Sequence, residues 1–265
     1  RAVGRILAFT AAWDCRLPDT IPTHRSPVRQ FALFHMPHPD ATDPRHWLAL
    51  LEAGVWFART SPALRDALLA AARVRTLTPG QALFRRGDAP CGLYAVLEGA
   101  VRISGTGGRS DDSREVLLTL LEPPHWFGEV SLFDAEPRTH DAVAEGATRL
   151  LHVPQPALMR LLADAPAHWR ELGLLMSHKL RLAFVALEEA ASLPVAQRLA
   201  RRLVMMAEGY GVRRDAQQGA HRRSIAVSQE QLSMMLAVSR QTINQNLKEL
   251  EVRGVVRLNR GGLEI

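Results

Sequence analysis

Along this 265-residue chain the spacing of apolar positions changes several times, and each change predicts a new element. Trp47, Leu48, Leu51 and Val55 share one side of a predicted helix from Pro44 to Phe57. Ser61 can cap a second, with Pro62 in its first turn, running to about Arg73. After Leu77 the texture turns to short alternating runs punctuated by glycine. These runs are Pro79 to Asp88, Leu93 to Gly99, Val101 to Ile103, Glu115 to Leu121, Trp126 to Phe133, Asp141 to Ala144 and Thr148 to Val153. Gly105 to Arg114 reads as a long polar hairpin loop. Several short strands at this spacing predict a barrel or sandwich.

Helical spacing returns at Ala167 and holds to Ala190. Trp169, Gly173, Met176, Leu180, Ala183 and Leu187 alternate steps of four and three, the seam of a helix that packs against a second copy. The alternative is a helix buried within one chain. Leu172, Leu175 and Leu182 lie to one side and suit packing on the chain's own barrel. Leu193-Pro194 marks a hinge before a helix that reaches about Glu208, then a polar loop from Gly209 to Gly219 and a short strand at Ser224 to Val227.

Ser228 to Val252 reads as two short helices with a tight turn at Ala237-Val238. Ser228 with Gln231 forms a capping-box pattern, and Ser239 caps the second helix. Ile243, Leu247 and Leu250 form that helix's apolar face, while Arg240, Gln241, Asn244, Gln245 and Lys248 crowd the other. Those polar side chains match base edges in a major groove better than a merely solvated face does. Gly254 stops the helix, and Asn259-Arg260-Gly261-Gly262 sits at the tip of a predicted hairpin wing.

Charge sharpens the picture once it is located. Residues 191–265 carry 12 Lys and Arg against 6 Asp and Glu, whereas residues 1–190 carry 21 of each, so the whole net charge of +6 lies with the helix pair. Such confinement points to a polyanion. Two cysteines, Cys15 and Cys91, cannot supply an iron–sulfur cluster and suit a reducing cytoplasm. No apolar run reaches membrane-spanning length. The N-terminal patch Ile6 to Trp13 is interrupted by Asp14 and Arg16 and reads as non-targeting. Residues 1–43 show no sustained period and are expected to be a poorly ordered extension. Met36 is the first methionine, so residues 1–35 read as an upstream addition.

Residues 75–153 carry the Pro79-Gly80 and Gly87-Asp88 turns, the Tyr94 to Gly99 run, Phe127-Gly128-Glu129 and Arg138-Thr139. With Ser239-Arg240-Gln241-Thr242, these make the chain resemble the cyclic-AMP receptor / fumarate–nitrate regulator (Crp/Fnr) family of bacterial transcription factors over roughly 45–265. The resemblance implies an α+β protein with a cyclic-nucleotide-binding-type β-roll (jelly-roll), a long dimerisation helix and a C-terminal winged helix-turn-helix. The expected divisions are 1–43, 44–165, 166–192 and 193–265.

It further implies a homodimer on a pseudo-palindromic site in double-stranded DNA, acting with RNA polymerase. By motif position Arg240 reads guanine, and Gln241 and Gln245 read adenine or bridge through water. Ser228, Ser239, Thr242, Lys248 and Arg260 then meet phosphate. Many relatives have glycine where this chain has Ala237, which is tolerable if its φ stays negative. In the roll, Arg138 would hold a cyclic nucleotide's phosphate, Gly128, Ser131 and Thr139 would approach it closely, and Glu129 would take the ribose hydroxyl. Val130 lies within the same motif.

Alternatively, Glu129 and Arg138 pair with each other and only hold the roll closed. The helix hydroxyls that meet the purine in known binders fall here on Ala183-Phe184, which argues against ordinary cyclic AMP sensing and suits another effector or none; cyclic AMP, cyclic GMP and another small effector are the candidates. His125 is the candidate ligand if the sensor carries haem. No metal-ligand spacing and no nucleophile with a positioned base occur, so catalysis is not expected. The competing reading is a nucleotide-sensing module without sequence-specific DNA output.

Overall fold

The computed structural model describes residues 42–107, 114–213, 224–259 and 261–265. The expected N-terminal extension therefore lies outside the described residues, apart from its last two. A 3-10 turn at Pro44–Trp47 leads into α1 (Leu48–Glu52), α2 (Val55–Arg59) and α3 (Pro62–Ala71). The single helix expected over Pro44 to Phe57 is thus three pieces. The chain turns extended at Gly54, where a Cβ would lie 3.0 Å from the Leu51 carbonyl oxygen. Ser61 caps α3 by accepting from the Leu64 amide.

The roll follows: β1 (Arg73–Leu77), β2 (Ala82–Phe84), β3 (Gly92–Glu98), β4 (Val101–Gly107), β5 (Arg114–Leu121) and β6 (Trp126–Phe127). Then come the short α4 (Val130–Asp134), β7 (Asp141–Ala144) and β8 (Thr148–Pro154). They form two four-stranded antiparallel sheets, in the orders β1-β8-β3-β6 and β2-β7-β4-β5. Both ends of the segment expected as a loop, Gly105 to Gly107 and Arg114, are paired strand, which narrows that loop to residues outside the described set.

Strand β3 explains its own unbroken apolar run. Tyr94 and Val96 point between the sheets with Phe84, Phe127 and Leu150. Leu93, Ala95 and Leu97 point outward under the helices, with Leu51, Phe57, Trp126 and Leu158. A strand covered on both faces loses alternation.

Helix α5 (Gln155–Asp164), which the apolar spacing did not reveal, precedes the long α6 (His168–Ser192). Leu172 and Leu175 of α6 are buried against the roll, whereas Leu180, Phe184 and Leu187 are 51%, 55% and 65% exposed. Trp169 is half-buried: it packs on Phe133 with ring centroids 5.2 Å apart and supports the chain's own core. The first position of the expected seam is therefore an intrachain contact, because the start of α6 lies over α4.

After Leu193-Pro194 come α7 (Val195–Ala207), β9 (Ser224–Ile225), α8 (Gln229–Leu236), α9 (Arg240–Val252), β10 (Arg257–Asn259) and β11 (Gly262–Glu264). The last strands pair in the order β10-β11-β9, a wing beside the helices. Leu199, Leu203, Leu232, Ile243, Leu247 and Leu263 share one core. Helix α8 also leans on the roll, where Met235 meets Leu117 and Leu120 of β5. Its Gln231 donates to Glu145 beyond β7.

Candidate DNA-reading helix and effector pocket

The two helices at the C-terminus are built by caps. The Ser228 hydroxyl accepts from the Gln231 amide at 3.1 Å while Gln231 Oε1 accepts from the Ser228 amide at 2.8 Å. Ser239 does the same for α9, accepting from the Thr242 amide at 3.0 Å, with the two hydroxyls 2.8 Å apart. Both caps satisfy amides that would otherwise lack partners at a helix start. The turn between them departs from expectation. Ala237 has φ 53° and ψ 43°, so the alanine occupies the left-handed region and not the negative φ that would have made it unremarkable.

Helix α9 packs through Ile243, Leu247 and Leu250, each no more than 2% exposed. Arg240, Gln241, Gln245 and Lys248 stand exposed on the other side, with Asn244 and Thr242 half-buried at its edges. Among the described residues nothing bonds the side chains of Arg240, Gln241, Gln245 or Lys248, and no acidic residue occupies the first turn of α9. An uncompensated positive helix start with free amide and guanidinium donors is suited to a phosphate-lined groove. The other end is tied to the wing, where Glu251 accepts from the Leu258 amide. Arg260 lies outside the described residues.

The candidate effector site of the roll is organised by a buried arginine. Arg138 is 4% exposed, and its Nη1 donates to the Gly128 carbonyl at 2.8 Å. Its Nη2 donates to the Gly92 carbonyl at 2.7 Å and to Cys91 Sγ at 3.2 Å. The guanidinium lies 4.5 Å from the centre of the Phe84 ring. Its Nε is buried with no hydrogen-bond partner among the described residues, and no carboxylate there pairs with it. Gly128 has φ 97°, and a Cβ on it would sit 2.8 Å from the Gly92 carbonyl oxygen and 3.2 Å from Arg138 Nη1. Only glycine lets the backbone come this close.

Glu129 is 2% exposed, yet it does not pair with Arg138. Its Oε2 accepts from Lys179 Nζ on α6 at 2.7 Å. The alternative in which Glu129 and Arg138 close the roll on each other is thereby corrected: the carboxylate turns outward to the long helix and the guanidinium turns inward to carbonyls. Ser131 is buried beside them, whereas Val130 and Thr139 lie at the surface, Thr139 sharing a hydrogen bond with His140.

Cys91, Gly92, Tyr94, Phe84 and Lys179 also build this site, and sequence reasoning missed all five. Burial pushes the Tyr94 phenol above its ordinary range, and its hydrogen bond to Cys91 adds to the shift. His152 stacks on Tyr94 at 4.4 Å and is lowered, chiefly by burial. Only the fold brings these groups from β2, β3, β8 and α6 to one place.

The site's parts match known families in the same order. Residues 74–165 match the cyclic nucleotide-binding domain, and residues 197–265 match the Crp-like helix-turn-helix domain. A CRP-like cAMP-activated global transcriptional regulator of Mycobacterium tuberculosis is 31% identical over 209 residues, covering 79% of this chain and 90% of its own length. The chain belongs to the Crp-like family of transcriptional regulators. Like others of the family, this Crp-like protein is a DNA-binding regulator of transcription, in a family of regulators and not of enzymes. The cyclic AMP receptor protein of Thermus thermophilus is 29% identical and covers 79% of the chain and 91% of its own length. The solved c-di-GMP-responsive regulator CLP of Xanthomonas campestris shares the fold, with a TM-score of 0.59 at 23% identity over 76% of this chain and 96% of that one. No helix among the described residues of this Crp-like regulator is long and apolar enough to cross a membrane.

Proposed function

We propose that the protein works as a homodimer, with its two α9 helices in successive major grooves of a pseudo-palindromic promoter, under the control of a cyclic nucleotide held at Arg138. The observation that carries the effector half is the guanidinium itself. A buried cation with no carboxylate beside it is costly to maintain, and a phosphate would supply both the missing charge and an acceptor for Nε. Relatives named as a cAMP-activated regulator and as a cyclic AMP receptor support the same class of ligand. Glu129 then takes the ribose hydroxyl, which competes with Lys179 and so links nucleotide binding to the position of α6.

For the output, the exposed apolar stripe Leu180, Ala183 and Leu187 on α6 supports a two-fold partner, with Gly173 and Met176 extending it toward the roll. Arg240 reads guanine through O6 and N7, Gln241 and Gln245 read neighbouring bases, and Asn244 lies at the rim of that surface. Ser228, Ser239, Thr242, Lys248 and the wing's Arg260 hold backbone phosphates, and the bound dimer acts on RNA polymerase. Half-sites are expected about one helical turn apart.

Calorimetry with cyclic AMP and with cyclic GMP tests the sensor: saturable binding that disappears in Arg138→Ala is expected. Binding that survives this substitution would remove the phosphate role. Selection from random duplex DNA tests the output, and recovery of no preferred sequence, with or without nucleotide, would sink it.

A further inference from the structure

A cavity lies outside the roll, between α2, the chain before β6, α6 and the residues that follow α7. Its volume is about 180 Å³, and it includes none of Gly128, Arg138, Tyr94 or Cys91. One wall is aromatic: Phe57 and Trp126 stack with centroids 5.3 Å apart, and Trp56 meets Trp126 edge-on at 5.3 Å. Leu174 and Leu175 of α6 face them. A closed apolar cavity of about 150 Å³ takes up benzene. A single ring with one small substituent is therefore the right size, while a porphyrin is far too large, which removes His125 as a haem ligand in this cavity.

The polar groups of the same cavity are biased to one sign. Arg59 and Lys179 are the cations that line it, with Glu171 as the carboxylate among them. Glu171 is already taken by the Ser61 amide and hydroxyl and by His168. His125 is 7% exposed and is held neutral, first by burial and then by the nearby Lys179 and His178. Trp126, 2% exposed, leaves its indole N–H without an acceptor among the described residues. An apolar slot with an unused buried donor, Arg59 at its edge and an ammonium that an anion can share with Glu129 fits an apolar anion.

We propose that this cavity is a second effector site, for a single-ring aromatic carboxylate, which adjoins the nucleotide site through Lys179 alone. Its position gives it leverage. Lys179 stands between the two sites, so an anion in the cavity competes with Glu129 for the ammonium and alters the group that faces the ribose. Gly211 and Val212 form another wall, and the Val55 amide donates to the Val212 carbonyl at 2.7 Å. His178 bonds the Tyr210 carbonyl at 3.1 Å. A ligand here touches the sensor, the long helix and the root of the DNA-binding domain at once.

Fluorine NMR titration of the full chain with 4-fluorobenzoate tests this, with 4-fluorobenzyl alcohol as the uncharged counterpart. Saturable binding on the order of a millimolar or tighter is expected for the acid, and binding about tenfold weaker for the alcohol. Leu174→Trp, which fills the slot from the half-exposed face of α6, should abolish it, and Lys179→Gln should weaken it about tenfold. Arg138→Ala and saturating cyclic AMP should leave the site present. These controls keep a failure of nucleotide sensing distinct from a failure of the cavity. The proposal falls if no saturable shift is seen, if acid and alcohol bind equally, if both Leu174→Trp and Lys179→Gln bind like the parent, or if cyclic AMP displaces the acid and Arg138→Ala abolishes its binding.

Discussion

Ala237→Gly isolates the backbone of the turn between α8 and α9. At φ 53° and ψ 43° the alanine Cβ crowds its own carbonyl, a conformation that costs an L-residue about 1–2 kcal/mol. Glycine removes that cost but has more freedom to lose on folding, an offset of about 0.5–1 kcal/mol. Ala237 is exposed, so deleting its methyl sacrifices little packed surface. The balance is a stabilisation of about 0.5–1 kcal/mol, or a rise in the domain's midpoint of roughly 2–8 °C for a unit of this size. Residues 193–265 contain no tryptophan, so scanning calorimetry is the suitable assay. The mirror substitution is Gly254→Ala, at an exposed position with φ 66°, which should destabilise by about 1 kcal/mol. An unchanged or lower midpoint for Ala237→Gly, or shifts of the same sign for both variants, would refute the reasoning.

Glu171 ties the start of α6 to the cap of α3. Burial alone would raise its carboxyl, but hydrogen bonds from Ser61 and His168 outweigh this and hold it below the usual carboxylate range. Glu171→Gln should cost about 1.5–3 kcal/mol near neutral pH. Because the folded value is depressed, that difference is complete above the ordinary pKa of about 4.3 and fades as pH falls through the folded value. Chemical denaturation at several pH values checks the convergence. Leu180→Glu with Leu187→Glu places charges on the exposed stripe of α6, and sedimentation should show monomers. Arg240→Ala should lose about 1–3 kcal/mol, concentrated at one base position, while Lys248→Ala weakens all duplexes alike and lowers the salt slope by about 1. Fluorescence anisotropy on substituted half-sites separates the two patterns.

Much of this was legible from the residues alone, and for local reasons. A cap depends on a hydroxyl and an amide three residues apart, so Ser61, Ser228 and Ser239 declared their helices directly. The reading face of α9 follows from helical spacing within 13 residues, and the charge that marks it is a matter of counting. Strand boundaries at Asp141 and Thr148 likewise came from alternation and glycine.

What the sequence could not decide required distant parts of the chain to meet. Trp169 keeps the seam's spacing, but the position of Phe133 turns it inward. Ala237 carries no mark of its sign of φ, because the angle between two packed helices imposes it. Glu129 and Arg138 have the right types to pair, and spacing alone left that open. The fold separates them by giving each another partner, 50 residues on for Glu129 and 46 residues back for Arg138. Local physics writes the elements and their caps; the direction in which a buried charge turns is set only when the sheets and the long helix close around it.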